Sequence, residues 1–213
     1  MDYHSLARGG VAILTIAATC LFSPLYATPY SYTTDFNLPI PSPSDPYSEN
    51  QQGWMDDAVV EIEDHYIIDD IDVSVTFAHE ALIDLQIRLQ SPAGTNIFLI
   101  YGGDSAFLIR DENGGITPVG GSGTWLFDDE AEISIDEATE PFFGSFRPIE
   151  SLSLFDGENA CGQWTLKIYD AFPVYAGCLD SFTIMVTSPE PATGLFLALG
   201  AGVLTLFKSY RRR

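Results

Sequence analysis

The chain has 213 residues, with 30 Asp and Glu against 9 Lys and Arg, for a formal net charge of −21. The length leaves room for one or two domains. A surface so acidic repels polyphosphate and anionic lipid, which excludes nucleic acid as a partner.

Both ends separate from the rest before any fold is considered. Arg8 precedes an apolar run, Val11 to Phe22, which Pro24 breaks, and Ala27 offers a small residue before Thr28. Residues 1–27 read as a secretory signal peptide cut near Ala27. Cys20 lies within the apolar run behind Thr19, a poor neighbour for lipid attachment. At the other end, Pro189, Glu190 and Pro191 precede an apolar stretch from Ala192 to Phe207, then Lys208 and Arg211, Arg212 and Arg213. As a helix that stretch reaches ~24 Å, a little short of a ~30 Å hydrocarbon core, and snorkelling of Lys208 closes the gap. The terminal arginines stay cytoplasmic by the positive-inside rule, in keeping with export of the preceding chain. Between the two ends the only cations are Arg88, Arg110, Arg147 and Lys167.

Residues 28–54 are rich in Pro, Ser, Tyr and Asn. Pro39, Pro41, Pro43 and Pro46 argue against a regular ladder or helix, so this reads as an extended lead-in, docked in part through Tyr30, Tyr32 and Phe36. Period-two patterning then begins. Ala58 to Ile62 is short and β-rich. From Ile71, the residues Ile71, Val73, Val75 and Phe77 share one face, opposite Asp72, Ser74 and Thr76. Ala81 to Gln90 repeats the pattern, with Ile83, Leu85, Ile87 and Leu89 inward and Asp84, Gln86, Arg88 and Gln90 outward. Ser91 to Asn96 reads as a tight turn, and Ile97 to Tyr101 as an apolar strand returning. The Gly-rich stretch 102–123 is a loop, with a short strand at 106–110. Thr124 to Ala131 ends in Asp128 and Asp129, and Glu132 to Glu140 is acidic and loop-like. Trp164, Leu166 and Ile168 share a face in a strand that Asp170 closes, and Asp180 to Val186 forms the last strand. About eight short strands joined by Gly and Pro turns, with no convincing helix between the two ends, predict an all-β, jelly-roll-like sandwich over residues 55–188.

The motifs along this stretch resemble the P domain, or homo B domain, which follows the catalytic domain in kexin- and furin-like subtilases. The first half carries His79, Asp84, Leu85, Ser91, Pro92, Gly94 and Thr95 where that family has His-Thr-Tyr-x-x-Asp-Leu and Ser-Pro-Ser-Gly-Thr. Glu80 and Ala81 depart from the pattern, as do, further on, Phe146 in place of Tyr, Gln163 in place of Thr and Phe182 in place of Trp. The second half, Pro141 to Phe182, carries Pro-Phe-x-Gly-x-Phe-x-Pro, then Asp156-Gly157, the Trp164 strand, and Gly177, Leu179, Ser181 and Phe182. The C-terminal order of Pro-Glu-Pro, apolar span and arginines resembles the PEP-CTERM sorting signal (residues 189–213) of exported Gram-negative proteins. That resemblance implies an exosortase-type sorting enzyme as partner, at least transient anchoring in the inner membrane, and delivery to the cell surface or extracellular matrix.

Little in the exported stretch carries chemistry. Its histidines are His65, in a polar Glu-Asp-His-Tyr stretch, and His79, between two strands. No Gly-x-Ser-x-Gly nucleophile turn occurs, and no subtilase catalytic domain accompanies the P-domain motifs, so the expectation is a non-catalytic module. Cys161 and Cys178 form an even pair in an oxidising compartment, where a bridge would stabilise by ~3 kcal/mol. If their strands formed a simple hairpin, however, Cys161 would face Val186. The alternative is a pair of free thiols. Calcium is the one cofactor to consider: Asp84, Asp128, Asp129 and Asp156 are oxygen donors near strand ends and turns, and some P domains bind it. The plainer reading makes them caps and turn carboxylates. The partner left to such a module is an envelope protein or an exopolysaccharide. In the subtilases this domain supports the protease, so a role as accessory domain to a separate serine endopeptidase also follows from the resemblance.

Overall fold

The computed structural model describes residues 29–44, 52–102, 120–138, 144–172 and 175–188. The signal segment at 1–27 and the sorting segment at 189–213 lie outside the described residues, as does the short strand expected at 106–110. Among the described residues no helix is long and apolar enough to cross a membrane.

Among the described residues ten strands build two sheets: β1 (Tyr30–Ile40), β2 (Gly53–Trp54), β3 (Ala58–Ile62), β4 (Asp70–His79), β5 (Leu85–Gln90), β6 (Asn96–Tyr101), β7 (Gly121–Phe127), β8 (Gly144–Phe146), β9 (Gly162–Asp170) and β10 (Gly177–Thr187). The first sheet runs β1-β10-β4-β7-β8. The second runs β2-β9-β5-β6, with β3 also on β9. All pairs are antiparallel except β7 with β8.

The period-two patterns land where the sequence puts them. On β4, Ile71, Val73, Val75 and Phe77 are buried, and on β9 so are Trp164, Leu166 and Ile168. They meet Leu85, Ile87 and Leu89 of β5 and Leu179, Phe182, Ile184 and Val186 of β10 in one core between the sheets. Two bulges adjust the phase. On β10 the register shifts between Leu179 and Ser181, so Leu179 and Phe182, three residues apart, both point inward while Asp180 is exposed. On β6 the shift sits opposite Ile87 and Arg88; Leu99 is buried beside Ile100, and Phe98 and Tyr101 are left on the outer face. A bulge inserts one residue and flips the alternation beyond it.

Three expectations change. The proline-rich lead-in contains a full strand: β1 pairs with β10 over most of its length. It lies at a sheet edge, where only one side of the backbone is paired, and its register breaks between Asp35 and Leu38, just before Pro39. Edge positions beside a bulge are where a strand accepts proline. Tyr32, Phe36 and Leu38 pack against the core from β1, and Tyr30 stacks on Tyr66 with ring centroids 4.2 Å apart. Second, the strand expected from Ala81 begins only at Leu85. A 3₁₀ turn at Leu82–Asp84 shifts the phase, so Leu82 and Asp84 are buried where Ile83 was expected inside and Asp84 outside.

Third, Cys161 and Cys178 are free thiols. Cys161 immediately precedes β9 and Cys178 lies at the start of β10; the two strands belong to different sheets, so the hairpin does not form. Cys161 lies beside Glu63, whose carbonyl its Sγ approaches at 3.6 Å. Cys178 lies at the opposite end of the sandwich, its Sγ 3.3 Å from Asn37 Oδ1. A strand as long as β9 puts the two ends ~25–30 Å apart at ~3.3 Å per residue, whereas a disulfide needs Cα atoms within about 7 Å.

Candidate functional site

Where β4 and β9 end, three titratable side chains converge in the interior. His79 closes β4 in the first sheet, Asp170 closes β9 in the second, and Asp84 ends the 3₁₀ turn between β4 and β5. Asp170 is 0% exposed, His79 3% and Asp84 7%. His79 Nε2 lies 3.2 Å from Asp170 Oδ2. Its Nδ1 faces the backbone of Ala81, 2.9 Å from the carbonyl oxygen and 3.1 Å from the amide nitrogen. The other oxygen of Asp170 accepts from Phe172 N–H at 3.2 Å. The ring is thus held on both nitrogens and ties the two sheets together.

Asp84 completes the group without a bond to the ring. Burial, then the negative charge of Asp170, pushes its carboxyl up to about 6, against a smaller opposing pull from His79. Because the folded state holds this proton more tightly than the unfolded chain, the protonated form favours folding. The contribution is complete at low pH, below the ordinary carboxylate value, and is lost as pH rises through about 6. Asp84→Asn is therefore expected to raise the urea midpoint at pH 7.5, by on the order of 1–2 kcal/mol of stability, and to change it little at pH 4.

Beside His79 opens a shallow cavity of about 580 Å³, walled by Glu80, Gly120, Gly121, Ala176, Gly177 and Cys178. The walls come together tightly: a Cβ on Gly177 would strike the Ala78 carbonyl oxygen and the His79 ring. The nucleophile here is the Cys178 thiol, and burial, then Asp180, pushes its pKa up rather than down. Reactive cysteines have the opposite character. His79 turns Nε2 to Asp170 and Nδ1 to Ala81, so neither nitrogen serves as a base toward that thiol. The second histidine, His65, lies near Asn159 Nδ2 at 3.1 Å, on the exposed side.

The calcium candidates separate. Asp84 sits in the cluster just described. Asp129 spends both oxygens on one turn, accepting from Leu152 N–H at 3.0 Å, Ser153 N–H at 2.9 Å and Ser151 Oγ at 2.5 Å. Asp128 accepts from Glu130 N–H at 2.6 Å. Asp156 follows that same turn, and burial, then Asp70, Asp69 and Asp129, raises its pKa. Among the described residues no three His, Cys, Asp or Glu side chains come together as a metal-binding set. Asp129 caps the turn at Leu152–Phe155, and Asp128, Asp129 and Asp156 belong to a crowded acidic patch. On Asp72 of β4, burial, then the charges of Asp128, Asp70, Glu130 and Asp129, pushes the carboxyl up to about 7.

No family model matches the chain, and no curated protein sequence matches it. Among the crystal structures that resemble its fold are a serine protease of Aeromonas sobria and that protease in complex with its chaperone. Each aligns at 17% identity with a TM-score of 0.44, over 75% and 76% of this chain. The chain spans about a quarter of the protease, 26% and 27% of its length in the two structures. A likeness of that degree assigns no activity.

Two groups of residues escaped the sequence reading. Asp170 passed as the residue that merely closes a strand; its partnership with His79 depends on which strands oppose each other, and no spacing encodes that. The outward aromatic residues Trp54, Tyr169, Phe98 and Tyr101 sit on three strands, β2, β9 and β6, the last of them shifted by a bulge. Their alternation with core residues was the available signal.

Proposed function

We propose that this chain is an exported, surface-directed, non-catalytic β-sandwich module of the P/homo B type. It is delivered by the N-terminal segment, sorted through Pro189, Glu190, Pro191 and the terminal arginines, and acts by binding or stabilising a partner in the envelope or extracellular matrix. The observation that carries the non-catalytic reading is the state of His79. The imidazole is fully buried and both ring nitrogens are engaged, one by Asp170 and one by Ala81. A general base must reach the proton it removes, and this one faces the interior. Among the described residues neither histidine is hydrogen-bonded to a Ser, Thr or Cys side chain.

The test is to incubate the full-length chain, purified in mild detergent, with casein and with a serine-directed fluorophosphonate probe. The expected result is intact casein and no covalent label; a labelled serine would overturn the proposal. The P-domain motifs at His79, Asp84, Ser91-Pro92 and Gly94-Thr95 also favour a second reading, an accessory domain acting in trans on a subtilisin-like endopeptidase. Added chain would then raise the heat resistance of such a protease lacking its own P domain.

A further inference from the structure

The outer face of the second sheet gathers aromatic rings around a cation. Register aligns Trp54 of β2 with Tyr169 of β9, Tyr169 with Gln86 of β5, and Gln86 with Tyr101 of β6. One row thus crosses four strands, ~14 Å at ~4.8 Å per strand, with aromatic rings at three of its four positions. The next row aligns Lys167 with Arg88 and Arg88 with Phe98. The rings touch: Trp54 lies 4.9 Å from Tyr169, and Phe98 4.8 Å from Tyr101. The Leu99 bulge on β6 makes this possible, since without it Phe98 and Tyr101 would face opposite sides.

Arg88 stands in the middle. Its guanidinium lies 4.1 Å from the centre of the Phe98 ring and 5.7 Å from that of Trp54, and its buried Nε finds no hydrogen-bond acceptor among the described residues. In a chain of net charge −21, two of the three cations among the described residues, Arg88 and Lys167, share this face. The third, Arg147, is committed to the carbonyls of Ala131 and Glu132. Lys167 pairs with the exposed Asp57 at 3.3 Å, which leaves Arg88 as the cation clamped among the rings.

From this geometry we propose that the face binds an acidic polysaccharide, a uronic-acid polymer, with sugar rings laid on Trp54 and the tyrosines and a carboxylate received by Arg88. A row of aromatic rings suits a flat, extended chain of sugar rings, which have apolar faces and polar edges; Trp and Tyr offer large amphipathic surfaces of that kind. Arg88 supplies a planar fork for a carboxylate. The flanking Gln86, half-buried on the same face, offers both a donor and an acceptor to hydroxyl groups. Duplex DNA, with a charge every ~1.7 Å, is repelled by the acidic bulk of the molecule. A polyuronate carries one charge per sugar, and screening over ~8 Å at physiological ionic strength lets the local cations decide.

The inference names the partner of the proposed module and rests on that reading. The two fail separately, because retention on a polysaccharide is measured without reference to the fluorophosphonate label. The experiment is affinity electrophoresis of the full-length chain through gels containing alginate or, in parallel, the neutral polymer hydroxyethyl cellulose. Alginate retards the wild type, and 0.5 M NaCl weakens that retardation. Trp54→Ala and Arg88→Gln each weaken apparent affinity about tenfold, a ~1.4 kcal/mol effect. Trp54→Phe restores most of it, and Thr183→Ala on the opposite sheet changes nothing. Melting temperatures of all variants are read alongside, and a variant that melts early is replaced by Tyr101→Ala. Migration unaffected by alginate, equal retardation by the neutral polymer, or wild-type retardation of both folded Trp54 and Arg88 variants would each overturn the proposal.

Discussion

Replacing Trp164 by alanine is expected to destabilise the protein by about 3–5 kcal/mol. The indole sits on β9, the strand of the second sheet flanked by β2 and β3 on one side and β5 on the other. It is 0% exposed, meets Phe155 edge-on with ring centroids 5.1 Å apart, and donates its N–H to the Ala160 carbonyl at 2.8 Å. Alanine removes the largest side chain facing the core from this strand. The space cannot collapse, because β9 is hydrogen-bonded along both edges. The carbonyl of Ala160, itself buried, loses its donor as well, a penalty of ~1–3 kcal/mol if no water replaces it. Domains are stable by only ~5–15 kcal/mol, so the variant stands near the limit of folding. Trp164→Phe separates the two contributions: it keeps much of the volume and loses only the hydrogen bond, for about 1–2 kcal/mol. Urea titrations followed by circular dichroism supply both numbers. A loss below ~1 kcal/mol for Trp164→Ala would mean that the core does not depend on this residue.

Trp164 also shows what a sequence makes legible. Its neighbours Leu166 and Ile168 alternate with polar residues, and alternation is a local property that survives in any half-buried strand. The same holds for Ile71 to Phe77, and for the all-β class as a whole. Legibility stops where the answer depends on which strand lies beside which. Cys161 and Cys178 are 17 residues apart in sequence and look like a natural pair; they part because β9 and β10 join different sheets. The inward turn of Asp84 depends on a 3₁₀ turn three residues long, too short to leave a periodic trace. The tenancy of β1 by a proline-rich segment follows from its place at an edge, and edges are defined only once the sheet is assembled. The aromatic row on the second sheet is hidden for the same reason: its rings come from β2, β6 and β9, and the bulge at Leu99 breaks the very alternation by which a strand is read.

The second large effect is expected at Asp170. Substituting alanine leaves the Nε2 of His79 without its partner inside the sandwich and strips Phe172 N–H of its acceptor. If the ring is neutral, an unpaired buried N–H costs about 1–3 kcal/mol; if it is protonated, a lone buried charge costs about 3–5 kcal/mol. One effect works the other way. The charge of Asp170 helps hold the Asp84 carboxyl up at about 6, so removing it relieves a repulsion that is fully expressed above that pH. The net loss at pH 7.5 is therefore smaller than at pH 4.5, where Asp84 is already mostly protonated and has no repulsion to relieve. This sign distinguishes the cluster from an isolated ion pair. In wild type the Asp84 contribution to stability falls as pH climbs through about 6. In Asp170→Asn, which keeps an acceptor for the imidazole but not the charge, that fall moves to lower pH and shrinks. The amide variant should lose only about 1 kcal/mol overall. Urea midpoints across pH 4 to 8 for Asp170→Ala, Asp170→Asn, Asp84→Asn and the Asp84→Asn/Asp170→Asn double variant close the cycle. Contacting charges give coupling energies of about 0.5–3 kcal/mol in such cycles. Strict additivity of the two asparagine substitutions at pH 7.5 would show that Asp84 and Asp170 do not sense each other, and the buried cluster would reduce to a single hydrogen bond between the sheets.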